Sequence, residues 1–334
     1  MTAVPDRQRR PARTVFFGSG AFAVPALDAL VDDAEVELVG VVSVPDRPVG
    51  RRREPAPVPV VTRAHALGLP VFQPHTIRET TSVEAIAALR PDVGVLADYG
   101  RIVPRGVLEV PTQGILNIHP SLLPRHRGAS PIPATILAGD TETGVTIIRM
   151  DEGLDTGPIV AVDSWPLDGT ETAQTLESRA ADAAAALLRA TLPLWLRGTI
   201  TPRPQDESAA TSTKPLRRED GRLDADAPVV ELERRVRALQ PWPGTWVETV
   251  AGRLAIWRAE AVPGWIGSED VEPGRFGRFG LHARDGYLAL REVQPAGGRR
   301  MTFDELVRGR PGIVGSSVIP AASPSAGSRR SSSA

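Results

Sequence analysis

Between Thr14 and Met150 short apolar runs alternate with segments of helical periodicity, and this alternation constrains the fold more tightly than anything else in the chain. TVFF reads as a buried strand ending at Gly18, FAVPALDALVDD as a helix and ELVGVVSV as a second strand. TRAHALG, VFQP, SVEAIAALR and DVGVLAD continue as helix, strand, helix and strand, and GILNIH and GVTIIRM add two more strands. Strands that take turns with helices specify a mostly parallel sheet covered by helices, a Rossmann-like α/β domain. Leu176, Ala180, Ala183, Leu187 and Leu188 at helical spacing, with Gly198 as a stop, predict a long helix that closes it.

A chain of 334 residues has room for a second domain. Residues 1–12 and 314–334 are Pro, Ser, Ala and Arg rich and are expected to be disordered tails. Residues 13–204 are assigned to the first domain, the polar segment 205–226 to a linker and 227–313 to the second domain. The second domain opens with the amphipathic VVELERRVRAL and continues through short apolar runs separated by glycine turns. That pattern predicts a small β-barrel of the five-stranded, OB-like type.

The absence of cysteine excludes thiol catalysis, disulfides and Cys-ligated metal. The five histidines show no HExxH-type spacing, so no metal is expected. A net charge of −1 does not announce a nucleic-acid partner, although arginines cluster locally, above all in PDRPVGRRREPAPVP. No stretch reaches the roughly 18 consecutive apolar residues of a membrane span, and no secretion signal opens the chain, so a cytoplasmic protein is expected.

Gly18-Ser19-Gly20-Ala21-Phe22-Ala23 fits a relaxed dinucleotide fingerprint, but the acidic residue beyond the second strand, Asp46, lies in a Pro-rich loop. It is read as a tight turn. In GILNIHPSLLP, alternation puts Ile115, Asn117 and His119 on one face and Leu116 and Ile118 on the other. That face turns polar where the strand ends, and Pro120 holds His119 extended. Asn117 as a turn cap and His119 as a satisfied core histidine are the plain alternatives. The loop DEGLDTGP supplies Asp151, Glu152 and Asp155, and a carboxylate beside His119 would favour and orient an imidazolium. Asn, His and Asp without cysteine suggest acyl-type transfer through a tetrahedral intermediate. Ser121 invites a hydrolase reading, but no GxSxG elbow surrounds it.

The runs FFGSGAFAVPAL, PDRPVGR, NIHPSLLPRHRGASPI, ETGVTIIRMDEGLDTGPI, LQPWPGTW and QPAGGRRM together resemble the methionyl-tRNA formyltransferases, within the wider group of 10-formyltetrahydrofolate-dependent formyltransferases. The likeness runs from about Thr14 to Gly312. It implies transfer of formyl from 10-formyltetrahydrofolate to the amino group of methionine on initiator tRNA, with no metal. It also implies catalytic positions at Asn117, His119 and Asp155. Ser121, Leu122, Leu123 and Pro124 would lie against the folate, and backbone at Ala97, Asp98, Tyr99, Gly100, Asp151 and Gly153 would hold its pterin. Arg47, Arg51 and Arg52 would reach the tRNA, and the chain would act as a monomer. The neighbouring possibility is a folate-dependent formyltransferase acting on an amino sugar nucleotide. Asp98, Thr211 and Ala225 depart from the family pattern, which has a small apolar residue, Tyr and Trp there.

Changing Arg47 and Arg51 together to Ala is expected to weaken use of tRNA far more than binding of folate. It should also flatten the salt dependence of tRNA binding, since each phosphate contact contributes a slope of about −0.9. Titrations of both substrates at several salt concentrations check this, and equal effects on the two would refute the assignment.

Overall fold

Two central strands with no exposed residue, Val93–Ala97 and Ile115–His119, organise the first part of the chain: covered on both faces, they are apolar except at Asn117 and His119. The structure is a computed structural model describing residues 10–49, 54–264 and 272–320. The chain divides after Pro215 into two compact units.

In chain order, unit 1 contains β1 (Ala12–Gly18), α1 (Val24–Val31), β2 (Val36–Val42), β3 (Arg47–Val49), β4 (Glu54–Ala56), α2 (Pro59–Ala66), β5 (Val71–Phe72), α3 (Thr80–Ala88), β6 (Val93–Ala97) and α4 (Arg105–Leu108). It continues with β7 (Ile115–His119), β8 (Arg127–Gly128), α5 (Pro131–Ala138), β9 (Glu142–Arg149), β10 (Ile159–Pro166), α6 (Ala173–Leu196) and β11 (Ser212–Thr213). The main sheet has seven strands in the order β10-β9-β7-β6-β1-β2-β5.

From β5 to β7 every pairing is parallel, as the alternation of strands and helices requires. β9 is antiparallel to both β7 and β10. For β9 and β10 the reason is length: the connection over residues 150–158 is shorter than the dozen or so residues a parallel crossover needs. The chain winds outward from β1 through β2 to β5, then returns to β6 on the other side of β1. In such sheets the crevice opens beyond the carboxyl ends of strands at that reversal. Hydrogen bonds from Ser19 N to Asp98 O (3.0 Å) and from Ser19 Oγ to Tyr99 O (3.1 Å) tie the turns after β1 and β6 together there.

Several expectations need correction. The arginine-rich loop is not wholly irregular, since its arms β3 and β4 pair as a short antiparallel hairpin beyond β2. Arg51 and Arg52 lie outside the described residues. PIPATILA forms α5, a helix that the apolar periodicity does not mark. The segment expected as a linker is engaged at both ends: β11 pairs with β8, whereas Leu223 and Ala225 are core residues of unit 2. At the inner edges of the expected tails, Ala12 already belongs to β1, and Val318 N donates to Gly274 O at 2.8 Å.

Unit 2 is an antiparallel sheet flanked by helices: α7 (Val229–Ala238), β12 (Thr245–Thr249), β13 (Gly252–Pro263), β14 (Gly280–Ala283), β15 (Gly286–Pro295), β16 (Met301–Thr302) and α8 (Phe303–Gly309). Its five strands run in the order β12-β13-β15-β14, with β16 also on β15. Val229, Leu232 and Val236 of α7 pack with Ile256, Phe276, Leu281, Leu288 and Phe303 into one core.

On β14 the ring of His282 stands edge-on to Tyr287, with centroids 4.9 Å apart. Burial, and then the Arg275 charge, push its pKa below the ordinary 6.5. The unfolded chain therefore takes up a proton that the folded chain resists, so this contribution is complete above about pH 6.5 and fades as pH falls through the folded value. Glu260 and Glu305, held below their ordinary 4.5 mainly by Arg291 and by the Thr302 backbone, act in a lower window. Urea midpoints of unit 2 should fall between about pH 7 and 5, and His282→Gln should flatten that dependence. An unchanged slope in the variant would contradict the assignment.

Candidate functional site

β7 carries Asn117 and His119 near its carboxyl end. Both side chains are buried, with 6% and 5% of their surface exposed. His119 Nε2 lies 2.9 Å from the carbonyl oxygen of His126. A carbonyl can only accept, so Nε2 carries a proton and Nδ1 is the ring nitrogen left to face the crevice. Nδ1 stands 3.7 Å from Asp155 Oδ2.

Asp155 comes from the loop joining β9 to β10. Its Oδ1 accepts from Asn117 Nδ2 at 3.0 Å, and its Oδ2 accepts from Gly128 N at 2.7 Å. The three residues therefore meet, though not as expected. The His119 ring is oriented by the His126 carbonyl, while the carboxylate bonds directly to the amide of Asn117 and stands off from the imidazole. One hydrogen of the Asn117 amide is used on Asp155, leaving the second available to an incoming group. Asp155 has φ +55, a left-handed conformation uncommon outside glycine.

The turn after β7 is held from within. Ser121 Oγ donates to Arg125 O at 2.7 Å, so its hydroxyl braces the turn and does not face His119. Thr146 on β9 is fully buried; its Oγ1 donates to Ser121 O at 2.7 Å and accepts from Leu123 N at 3.1 Å. Leu123 is buried, whereas Leu122 and Pro124 are half-buried. Across the crevice, Asp98 is exposed with φ +43, and a Cβ at position 20 would lie only 1.7 Å from its Oδ2. Asp98 thus occupies the space that glycine leaves over the turn after β1. The Tyr99 ring turns into the core against Phe17, and burial pushes its hydroxyl up to about 12, so only its backbone is on the crevice side. Asp151 Oδ1 accepts from Gly153 N at 3.0 Å and Thr156 Oγ1 at 2.7 Å, which shapes the loop carrying Asp155.

Residues outside the predicted set complete the site. His126, itself left-handed at φ +59, presents its carbonyl to His119 while its Nε2 lies 2.7 Å from Asp140 Oδ2. Its N–H donates to Thr211 Oγ1 at 2.8 Å, so Thr211, where the family pattern has Tyr, is a working partner. Buried Arg127 grips Gln205 and Glu207, and that pairing holds Glu207 below its ordinary carboxylate range. The run RHRG directly after SLLP could have pointed to His126 and Arg127, but not to Asp140, Gln205, Glu207 or Thr211. Among the described residues, no cluster of three or more His, Asp or Glu is placed to hold a metal, and no helix is long and apolar enough to cross a membrane.

Residues 12–192 match the family model described as formyl transferase, and residues 215–311 match the formyl transferase C-terminal domain. A methionyl-tRNA formyltransferase of Chloroflexus aggregans is 46% identical over 297 residues, covering 87% of this chain and 94% of the relative. The chain belongs to the methionyl-tRNA formyltransferase family. A family member from Thermus thermophilus is 43% identical over 302 residues, covering 89% of this chain and 96% of its own. Among solved structures, the N-formyltransferase of Helicobacter canadensis in complex with folinic acid and dTDP-3-aminofucose aligns at a TM-score of 0.63. At 18% identity over 84% of this chain and 99% of that one, it shares the fold.

Thr146→Val keeps shape and burial but strands the Leu123 N–H and the Ser121 carbonyl. It should cost about 1 to 3 kcal/mol of unit 1 stability and speed exchange of the Leu123 amide. Denaturant midpoints and hydrogen exchange check both, and unchanged exchange at Leu123 would show that the hydroxyl does not hold the turn.

Proposed function

We propose that this chain transfers the formyl group of 10-formyltetrahydrofolate to the α-amino group of methionine on initiator tRNA, with Asn117, His119 and Asp155 as its catalytic residues. The observation that carries the reading is the meeting of those side chains at the carboxyl end of β7, in a chain matching methionyl-tRNA formyltransferases along most of its length.

The α-amine has a pKa of about 8 and is partly neutral near pH 7, so it can attack the formyl carbon without a covalent enzyme intermediate. A bond forms between that nitrogen and the formyl carbon, and the carbonyl oxygen takes up negative charge. The free hydrogen of the Asn117 amide and the Nδ1–H of a His119 imidazolium would stabilise it, at about 3 kcal/mol per donor. Asp155 holds the Asn117 amide and accepts the proton that the attacking nitrogen loses. The carbon–N10 bond then breaks, and the proton ends on N10 of tetrahydrofolate. No metal or redox cofactor enters the balance.

The turn Ser121 to Pro124 is read as a wall for the folate, and the backbone at Ala97 to Gly100, with Asp151 and Gly153, as the pterin's partners. Folinic acid in the Helicobacter canadensis structure supports a folate donor on this fold. Unit 2 is read as an OB-like barrel that grips the tRNA, with Arg47, Arg51 and Arg52 reaching its acceptor end. Arg300 over the half-buried Trp257 (3.2 Å) supports a cation paired with an aromatic ring there. The protein is taken to act as a cytoplasmic monomer.

Donor labelled in the formyl group, offered with charged initiator tRNA or with an amino sugar nucleotide, tests the reading. Label is expected on the methionine; label on the sugar alone would overturn the choice of acceptor. His119→Ala should lower kcat by on the order of 10³-fold with tRNA binding largely kept, and unchanged turnover would remove His119 from the chemistry.

A further inference from the structure

The polar stretch after α6 carries a side chain that bridges β8 and the loop holding Asp155. Gln205 Nε2 donates to Asp155 O and to Gly157 O, each at 2.7 Å. Its Oε1 accepts from Arg127 Nη2 at 2.8 Å and from Arg127 Nε at 3.1 Å. A guanidinium has no acceptor, so the amide oxygen must face Arg127 and the amide nitrogen must face the two carbonyls. The orientation is therefore fixed by chemistry.

Arg127 is in turn held by Glu207, with Nη1 donating to Oε2 at 2.9 Å and Nη2 to Oε1 at 2.7 Å. The next residue, Gly128, donates its N–H to the Asp155 carboxylate. Gln205 thus joins the backbone of Asp155 to the strand that binds the Asp155 side chain. On either side the segment is fastened to the same structure: Ile159 and Arg203 exchange N–H···O bonds of 2.7 and 2.8 Å, and β11 pairs with β8.

We infer that Gln205 is a positioning residue for Asp155: it holds the left-handed backbone of the loop so that the carboxylate meets Asn117 and faces His119. Left-handed backbone at a non-glycine residue persists only where its surroundings over-determine it. Two hydrogen bonds from one amide, to carbonyls two residues apart, supply that constraint. The segment expected to be a passive linker is part of the catalytic apparatus. The inference rests on the reading of Asp155 as a catalytic group.

Formyl transfer to charged initiator tRNA by the full chain tests it with Gln205→Ala, Asp155→Asn and the double variant. Gln205→Ala should lower kcat by on the order of 10²-fold, as misplacement of a catalytic group by about 1 Å does. KM for both substrates should stay within about 2-fold. In the Asp155→Asn background the same change should move kcat by less than about 3-fold, because the positioned carboxylate is gone. Equal costs in the two backgrounds would reveal a merely structural role and overturn the inference. An undiminished kcat in Gln205→Ala beside an impaired Asp155→Asn would overturn it while leaving the catalytic reading intact. Full activity in Asp155→Asn would sink that reading itself. Should Gln205→Ala fail to fold, Gln205→Asn, one methylene short but with the same groups, supplies the comparison, and an undiminished kcat there counts against the inference.

Discussion

The Asp155 carboxylate is the point on which the rest of unit 1 converges. One oxygen takes a hydrogen from Asn117, 38 residues earlier in the chain; the other takes the N–H of Gly128 and faces the His119 ring. Three separate pieces of chain must therefore be placed so that their hydrogen-bonding groups meet within about 3 Å: the end of β7, the short strand β8 and the loop between β9 and β10. β7 is held by two sheet neighbours and β8 by β11, and Gln205 ties the loop to β8 through Arg127. A carboxylate held by fixed donors needs little rearrangement when charge develops beside it, and such preorganisation lowers a barrier without a covalent enzyme intermediate.

The topology explains why this convergence falls where it does. The reversal of strand order between β1 and β6 opens a crevice at their carboxyl ends, and β7 lies next to β6 with Ile118 opposite Ala97. β9 runs antiparallel to β7 and ends opposite Leu116, so the loop after it folds back along β7 for the Asp155 carboxylate to meet Asn117.

Much of this was legible in the sequence. Alternation marked Ile115, Asn117 and His119 as one face of a buried strand, and the apolar runs located the sheet from Thr14 to Met150. What escaped was carried by backbone groups or by register. The His126 carbonyl and the Gly128 N–H bond through atoms that every residue has, so no side-chain pattern announces them. Gln205, Glu207 and Thr211 lie in a stretch whose polarity reads as solvent exposure, yet here it satisfies Arg127 and the loop carbonyls. Neither the orientation of the His119 ring nor the 3.7 Å gap to Asp155 follows from spacing, because both depend on how the turn after β7 closes.

The claim that Asn117 and Asp155 act as one unit is tested most directly by a double-mutant cycle on kcat for formyl transfer, using Asn117→Ala, Asp155→Ala and both together. Groups that work as a unit are strongly non-additive, so the double variant should lose little beyond the more damaging single change. If the two losses multiplied, the residues would be acting independently, and the shared hydrogen bond would not be what organises the site.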